Sequence, residues 1–153
     1  MAKTVLTYGT FDLFHVGHVR LLRRLRQMGD RLIVGLSSEE FNSIKGKKTV
    51  IPYEFRKEIL ESCRYIDKVF PEHNWDQKRS DIARERADIF AMGDDWAGKF
   101  DNLSDICEVV YLPRTSDVST TELKKYMNAV NQEKLGAIRN MVDVLQAELK
   151  AVG

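Results

Sequence analysis

Thr4-Val-Leu-Thr-Tyr-Gly-Thr-Phe-Asp-Leu-Phe-His-Val-Gly-His18 decides the fold. A short β-rich run ends at Gly9, and the apolar residues Val19, Leu21, Leu22, Leu25 and Met28 then recur at helical spacing. This predicts a strand, a loop and a helix. Gly29-Asp30 closes the helix, and Arg31 to Leu36 is a second, nearly continuous apolar run, as expected of a strand covered on both faces. A right-handed parallel βαβ crossover follows.

Working outward, the unit repeats more loosely. A helix is expected from about Tyr53 to Arg64, a strand at Lys68 to Phe70, a helix near Asp76 to Glu85, and strands at Ile89 to Met92 and Val109 to Leu112. Such alternation implies an α/β fold, a Rossmann-like doubly wound parallel sheet of five strands in the order 3-2-1-4-5. Ser43-Ile-Lys-Gly-Lys-Lys-Thr-Val-Ile-Pro52 reads as a mobile basic loop. Leu135, Ile138, Met141, Val142, Leu145, Leu149 and Val152 form one apolar stripe on a long final helix. The expected organisation is a domain over 1–128 and a helical extension over 129–153.

The bulk numbers suit a soluble globular chain. Hydrophobic residues make up 43% and charged residues 31% of its 153 positions. With 24 Lys and Arg against 23 Asp and Glu, no global field points to nucleic acid or an anionic membrane, so any anion site must be local. No stretch approaches the roughly 20 apolar residues of a membrane span, and the start lacks a signal-peptide core. Cytoplasmic location is the expectation. Cys63 and Cys107 stand apart in apolar-patterned segments and read as reduced thiols.

Two of the three histidines share the turn His15-Val16-Gly17-His18, at a predicted helix start beyond the carboxyl end of a strand. Ligands bind open α/β sheets at that edge, and a helix N-terminus offers N–H groups and a positive dipole end to a phosphate. Zinc ligation is the weaker reading, because Asp12 is the only other nearby donor. Lysines 45, 47 and 48 would by composition alone be a solvated run. Ser119 reads as an N-cap.

Tyr8 to His18 resembles the signature of the nucleotidyltransferase superfamily that carries a His-x-Gly-His motif. Arg64-Tyr-Ile-Asp67, Asn74-Trp-Asp-Gln-Lys78, Met92-Gly-Asp-Asp-Trp96, Tyr111-Leu-Pro-Arg-Thr115 and Val118-Ser-Thr-Thr121 narrow the resemblance to the bacterial glycerol-3-phosphate cytidylyltransferase family, over roughly Val5 to Lys125. The resemblance implies transfer of a cytidylyl group from CTP to glycerol 3-phosphate, giving CDP-glycerol for glycans such as teichoic acid or capsule. It implies that Gly9, Thr10, Phe11 and Gly17 line the CTP site, with His15 and His18 against the α-phosphate. Lys47 would reach the CTP phosphates, and Lys45 and Lys78 the acceptor phosphate. Arg114 with Thr115, Ser119, Thr120 and Thr121 would cradle the leaving pyrophosphate, while Arg64, Asp95 and Trp96 would surround the nucleoside. Mg2+ is expected to ride on the CTP phosphates without a protein metal site, and the enzyme is expected to be a homodimer. Other phosphorylated alcohols or amino alcohols, or ATP in place of CTP, keep the same chemistry. A non-catalytic anion-binding or oligomerisation module is the reading from another class.

Overall fold

In the computed structural model, residues 2–114 and 119–152 are described. They form β1 (Thr4–Gly9), α1 (Val16–Gln27), β2 (Arg31–Ser37), α2 (Glu39–Ile44), α3 (Tyr53–Glu61), β3 (Lys68–Glu72), α4 (Lys78–Glu85), β4 (Ile89–Gly93), β5 (Glu108–Leu112) and α5 (Thr120–Val152). The strands make one sheet in the order β3-β2-β1-β4-β5, and every neighbouring pair is parallel. The expected topology is therefore the one observed. Because all five strands run the same way, their carboxyl ends share one edge, and every loop leaving them opens there.

Alternation along the strands divides the core between two faces. Val5, Leu32 and Val34 point to one side, where they pack with Leu22 and Leu25 of α1 and Leu60 of α3. Leu6 and Ile33 point to the other, against Phe70, Phe90 and Ile82 of α4. The central strands are buried on both sides, which explains their unbroken apolar sequences.

Two expectations change. The supposed basic loop begins as helix: Ser38 caps α2 by accepting from the Phe41 N–H, and Lys45 is the C-cap residue. The boundary expected at 128/129 falls inside α5, which is continuous, and the chain instead divides into compact units at 117/118. Taken by itself, α5 has no buried residue, and Leu135, Ile138, Leu145 and Leu149 are all exposed. Ser119 Oγ accepts from the Glu122 N–H at 3.1 Å, the expected cap. No helix of the described residues is long and apolar enough to cross a membrane. Cys63 and Cys107 are both free thiols, half-buried.

Candidate active site

The turn between β1 and α1 holds its shape at a cost. Phe11 and Leu13 both have φ of 50°, in the left-handed region that non-glycine residues avoid. A Cβ on Gly9 would lie 2.6 Å from the Phe11 ring, so only glycine fits there. Phe11 is buried in the core and meets His18 edge-on, with ring centroids 5.3 Å apart. Its side chain therefore backs the site from the core side.

His15 is the N-cap of α1. Its Nδ1 accepts from the Gly17 N–H at 3.0 Å, and His18 Nδ1 accepts from the His15 N–H at 3.2 Å. The two rings stack at 3.9 Å. A neutral imidazole that accepts at Nδ1 carries its proton on Nε2. Burial holds both rings neutral: it lowers His15 from its ordinary value and pushes His18 down to about 4, with the neighbouring His15 adding to the effect. The site thus offers two Nε2–H donors in fixed tautomers. Gly17, expected to donate its N–H to a phosphate, spends it on His15 instead.

Three further strand ends surround this turn. After α2, Lys45 Nζ donates to Ser37 Oγ at 2.7 Å and lies 4.5 Å from the Phe41 ring. Burial, the largest cause, lowers its pKa to about 8. Ser37 Oγ donates in turn to Glu72 Oε1 at 3.0 Å, and Glu72 Oε2 takes the Lys78 ammonium at 2.7 Å. Gly46, with φ of 71°, turns the chain between Lys45 and Lys47. Lys45, Lys47, Glu72 and Lys78 line one cavity of about 70 Å³ with Tyr8, Gly9, Thr10, Trp75, Met92, Trp96 and Phe100. That volume is too small for a nucleotide. Three lysines against one glutamate leave the cavity with two net positive charges, matched to a phosphate monoester dianion.

The supporting residues were not expected from the sequence. Asp12 is buried and its carboxylate accepts from the Val50 and Ile51 N–H groups at 2.8 and 2.9 Å. It anchors the far end of the lysine segment. Arg56 of α3 is also buried; it donates to the carbonyls of Thr10, Ser37 and Ile51 and to Glu39 Oε1. One guanidinium therefore joins the ends of β1 and β2 to the same segment. Thr10 Oγ1 donates to Asn42 Oδ1 at 3.3 Å.

Other expected residues sit differently. Arg114 pairs with Asp95 at 2.6 Å, so the two lie together beyond β5 and β4. Trp96 stands beside Trp75 and Phe100, at 5.7 and 5.6 Å, on the wall of the lysine cavity. Arg64 lies exposed in the connection that enters β3, at the amino edge of the sheet, where it bonds the Tyr65 hydroxyl at 3.0 Å. That edge is opposite the His turn. Lys78, expected at the acceptor phosphate, is buried on Glu72 and lines the same cavity as Lys45 and Lys47. Thr115 lies outside the described residues. Ser119, Thr120 and Thr121 belong to the second compact unit.

The Lys45 ammonium gives a pH prediction. Its pKa is lowered, so the charged form prevails below about pH 8 and is lost as pH rises through it. With CTP saturating, kcat/KM for a phosphate acceptor should fall above about pH 8, and Lys45→Arg should carry that limb to higher pH. An alkaline limb that stays in place in Lys45→Arg removes Lys45 from the role.

A parallel 3-2-1-4-5 sheet carrying paired neutral histidines at its first strand end, with a lysine-lined cavity at the same edge, suits a nucleotidyl-transfer scaffold. The profile of the cytidylyltransferase-like family matches residues 6–126, and the chain belongs to that family. It is 58% identical to the glycerol-3-phosphate cytidylyltransferase of Bacillus subtilis over 123 residues, covering 80% of this chain and 95% of that one. The protein of the same name in Staphylococcus aureus is 57% identical, covering 80% and 93%. Among solved structures, the lipopolysaccharide core biosynthesis protein of Thermoplasma volcanium superposes with a TM-score of 0.68 at 20% identity, over 76% of this chain and all of that one. That last likeness is one of fold.

Proposed function

We propose that the chain transfers a cytidylyl group from CTP to sn-glycerol 3-phosphate, yielding CDP-glycerol and pyrophosphate. The observation that carries this reading is the pairing of two neutral, Nε2-protonated histidines with a small cavity of net positive charge at the same sheet edge. High identity to two enzymes of that name supports the acceptor.

An oxygen of the acceptor phosphate attacks the α-phosphorus of CTP. The new P–O bond forms as the bond to the β-bridging oxygen breaks, and pyrophosphate leaves. The attacking oxygen is already anionic near neutral pH, so no general base is required. His15 and His18 donate through Nε2 to the equatorial oxygens, where charge develops. Lys45 holds the acceptor phosphate, Lys47 reaches the CTP phosphates, and Arg114 receives the departing pyrophosphate once it exchanges Asp95 for the anion. Mg2+ fits this donor set only when carried by the nucleotide: the nearby carboxylates of Asp12, Glu72 and Asp95 are already engaged by backbone N–H groups, Lys78 and Arg114. When bound there it neutralises phosphate charge. Two free thiols fit work in the reducing cytoplasm.

The deciding assay measures pyrophosphate release over a panel of nucleoside triphosphates and phosphate acceptors. CTP with glycerol 3-phosphate should give the highest kcat/KM, and preference for ATP or indifference to glycerol 3-phosphate defeats the proposal.

The enzyme is proposed to be a homodimer to which α5 contributes by pairing with the same helix of a second copy. Leu135, Ile138, Val142, Leu145, Leu149 and Val152 alternate spacings of three and four residues, the seam of a two-stranded coil, and all are exposed. Removing residues 131–153 should lower the mass measured by light scattering. An unchanged dimer mass excludes the helix from the contact.

A further inference from the structure

Lys78 stands where a ligand would be expected to stand. Its ammonium lies 4.7 Å from the ring centroid of Tyr8, 5.2 Å from Trp75 and 5.5 Å from Phe100. Glu72 Oε2 closes the fourth side at 2.7 Å. Three ring faces and a carboxylate around one cation make an aromatic cage, the arrangement that recognises ammonium groups of small molecules. Here the occupant belongs to the chain. The frame is well supported: Tyr8 is pinned by its hydroxyl donating to Asp81 at 2.6 Å, and Trp75 packs edge-on against Phe41 at 5.0 Å.

A buried ion pair serving only the core is the plain alternative. Two observations set this one apart. The cage walls and both members of the pair line the same cavity as Lys45 and Lys47. Glu72 is also linked through Ser37 to Lys45, so its charge state bears directly on the lysine facing the reaction.

We infer that Lys78 is a specificity-determining residue: by filling the Tyr8, Trp75 and Phe100 cage with its own ammonium, it excludes amino-alcohol phosphates from the acceptor cavity and leaves room for neutral polyol phosphates. The inference rests on the reading above that this cavity receives the acceptor. An acceptor bearing an ammonium group must either displace Lys78 from three rings and a carboxylate, or lie beside it as a like charge. A hydroxyl-bearing acceptor meets neither obstacle. This is discrimination by an obstacle to the wrong ligand.

The test compares glycerol 3-phosphate with phosphoethanolamine and phosphocholine, using CTP at saturation and pyrophosphate release as the readout. It uses the full-length wild type, Lys78→Met and Lys78→Met/Glu72→Gln. Methionine keeps an unbranched stem in the cage and removes the charge. In Lys78→Met, kcat/KM for the amino-alcohol phosphates relative to that for glycerol 3-phosphate should rise on the order of tenfold or more, and either ligand should quench the fluorescence of the cavity tryptophans. The double variant should shift the same way but less, because the carboxylate is gone; its neutral pair also guards against a fold lost to an unpaired buried Glu72. If the folded variants show neither an increased preference for the amino-alcohol phosphates over glycerol 3-phosphate nor acquired binding of them, the inference is overturned. A wild type that prefers phosphoethanolamine to glycerol 3-phosphate refutes instead the acceptor assigned to the cavity.

Discussion

Replacing His18 by alanine is expected to lower kcat for pyrophosphate release from CTP by about two to three orders of magnitude, the scale measured when one preorganised donor to a developing oxyanion is removed. The ring is fixed on three sides before substrate arrives: by the His15 N–H at Nδ1, by the stacked His15 ring, and by the Phe11 edge. KM for CTP should change far less than kcat, because the contact strengthens mainly as charge develops on the equatorial oxygens. His15→Ala should behave similarly. The double variant should lose less than the product of the two single losses, since each histidine helps position the other. Steady-state kinetics on variants with unchanged thermal transitions check this, and a folded His18→Ala enzyme of normal kcat excludes the catalytic role.

Replacing Arg56 by methionine should cost stability on the order of 3–5 kcal/mol, the range seen when one partner of a buried charged network is removed. Arg56 is 1% exposed, and its guanidinium satisfies three backbone carbonyls and Glu39 with bonds of 2.8 to 2.9 Å. Methionine fills similar space but leaves those carbonyls buried without a donor. Chemical denaturation measures the loss, and a change below about 1 kcal/mol contradicts this account of the network. Arg56→Lys should recover little, because an ammonium lacks the planar fork that reaches acceptors on two strand ends and a loop. Activity should fall with stability, since the same contacts hold Thr10 and the segment carrying Lys45 and Lys47.

The sheet was legible because its signals are local. Unbroken apolar runs, glycine at strand ends and helical spacing in Val19 to Met28 each act within a few residues, and together they leave little choice of topology. The His turn was legible for the same reason, and its chemistry came from resemblance. The support of the site was not legible. Arg56 sits in Tyr53-Glu-Phe-Arg-Lys-Glu58, where amphipathic reasoning turns Phe55 inward and Arg56 outward. The structure does the reverse, leaving Phe55 60% exposed and Arg56 buried, because the ends of β1 and β2 present carbonyls to α3 that only a donor can satisfy. Glu72 was equally silent. A lone glutamate at a strand end looks solvated until α4 is seen to begin with Lys78 beside it. Trp96 and Arg64 were placed by analogy with a motif, which names residues without saying which way each side chain is turned; the Gly17 N–H was read from its helix start, where the His15 ring claims it.

The turn from Gly9 to His15 carries a further meaning for how such an enzyme can change. Phe11 and Leu13 both hold a backbone conformation that costs free energy, and the histidines follow directly from it. Selection for sturdiness favours any replacement that relaxes these two positions, while selection for turnover favours keeping them as they are. Heat-tolerant descendants of this chain are therefore expected to gain their stability elsewhere, in the helices and the outer strands, and to inherit an uncomfortable turn unchanged.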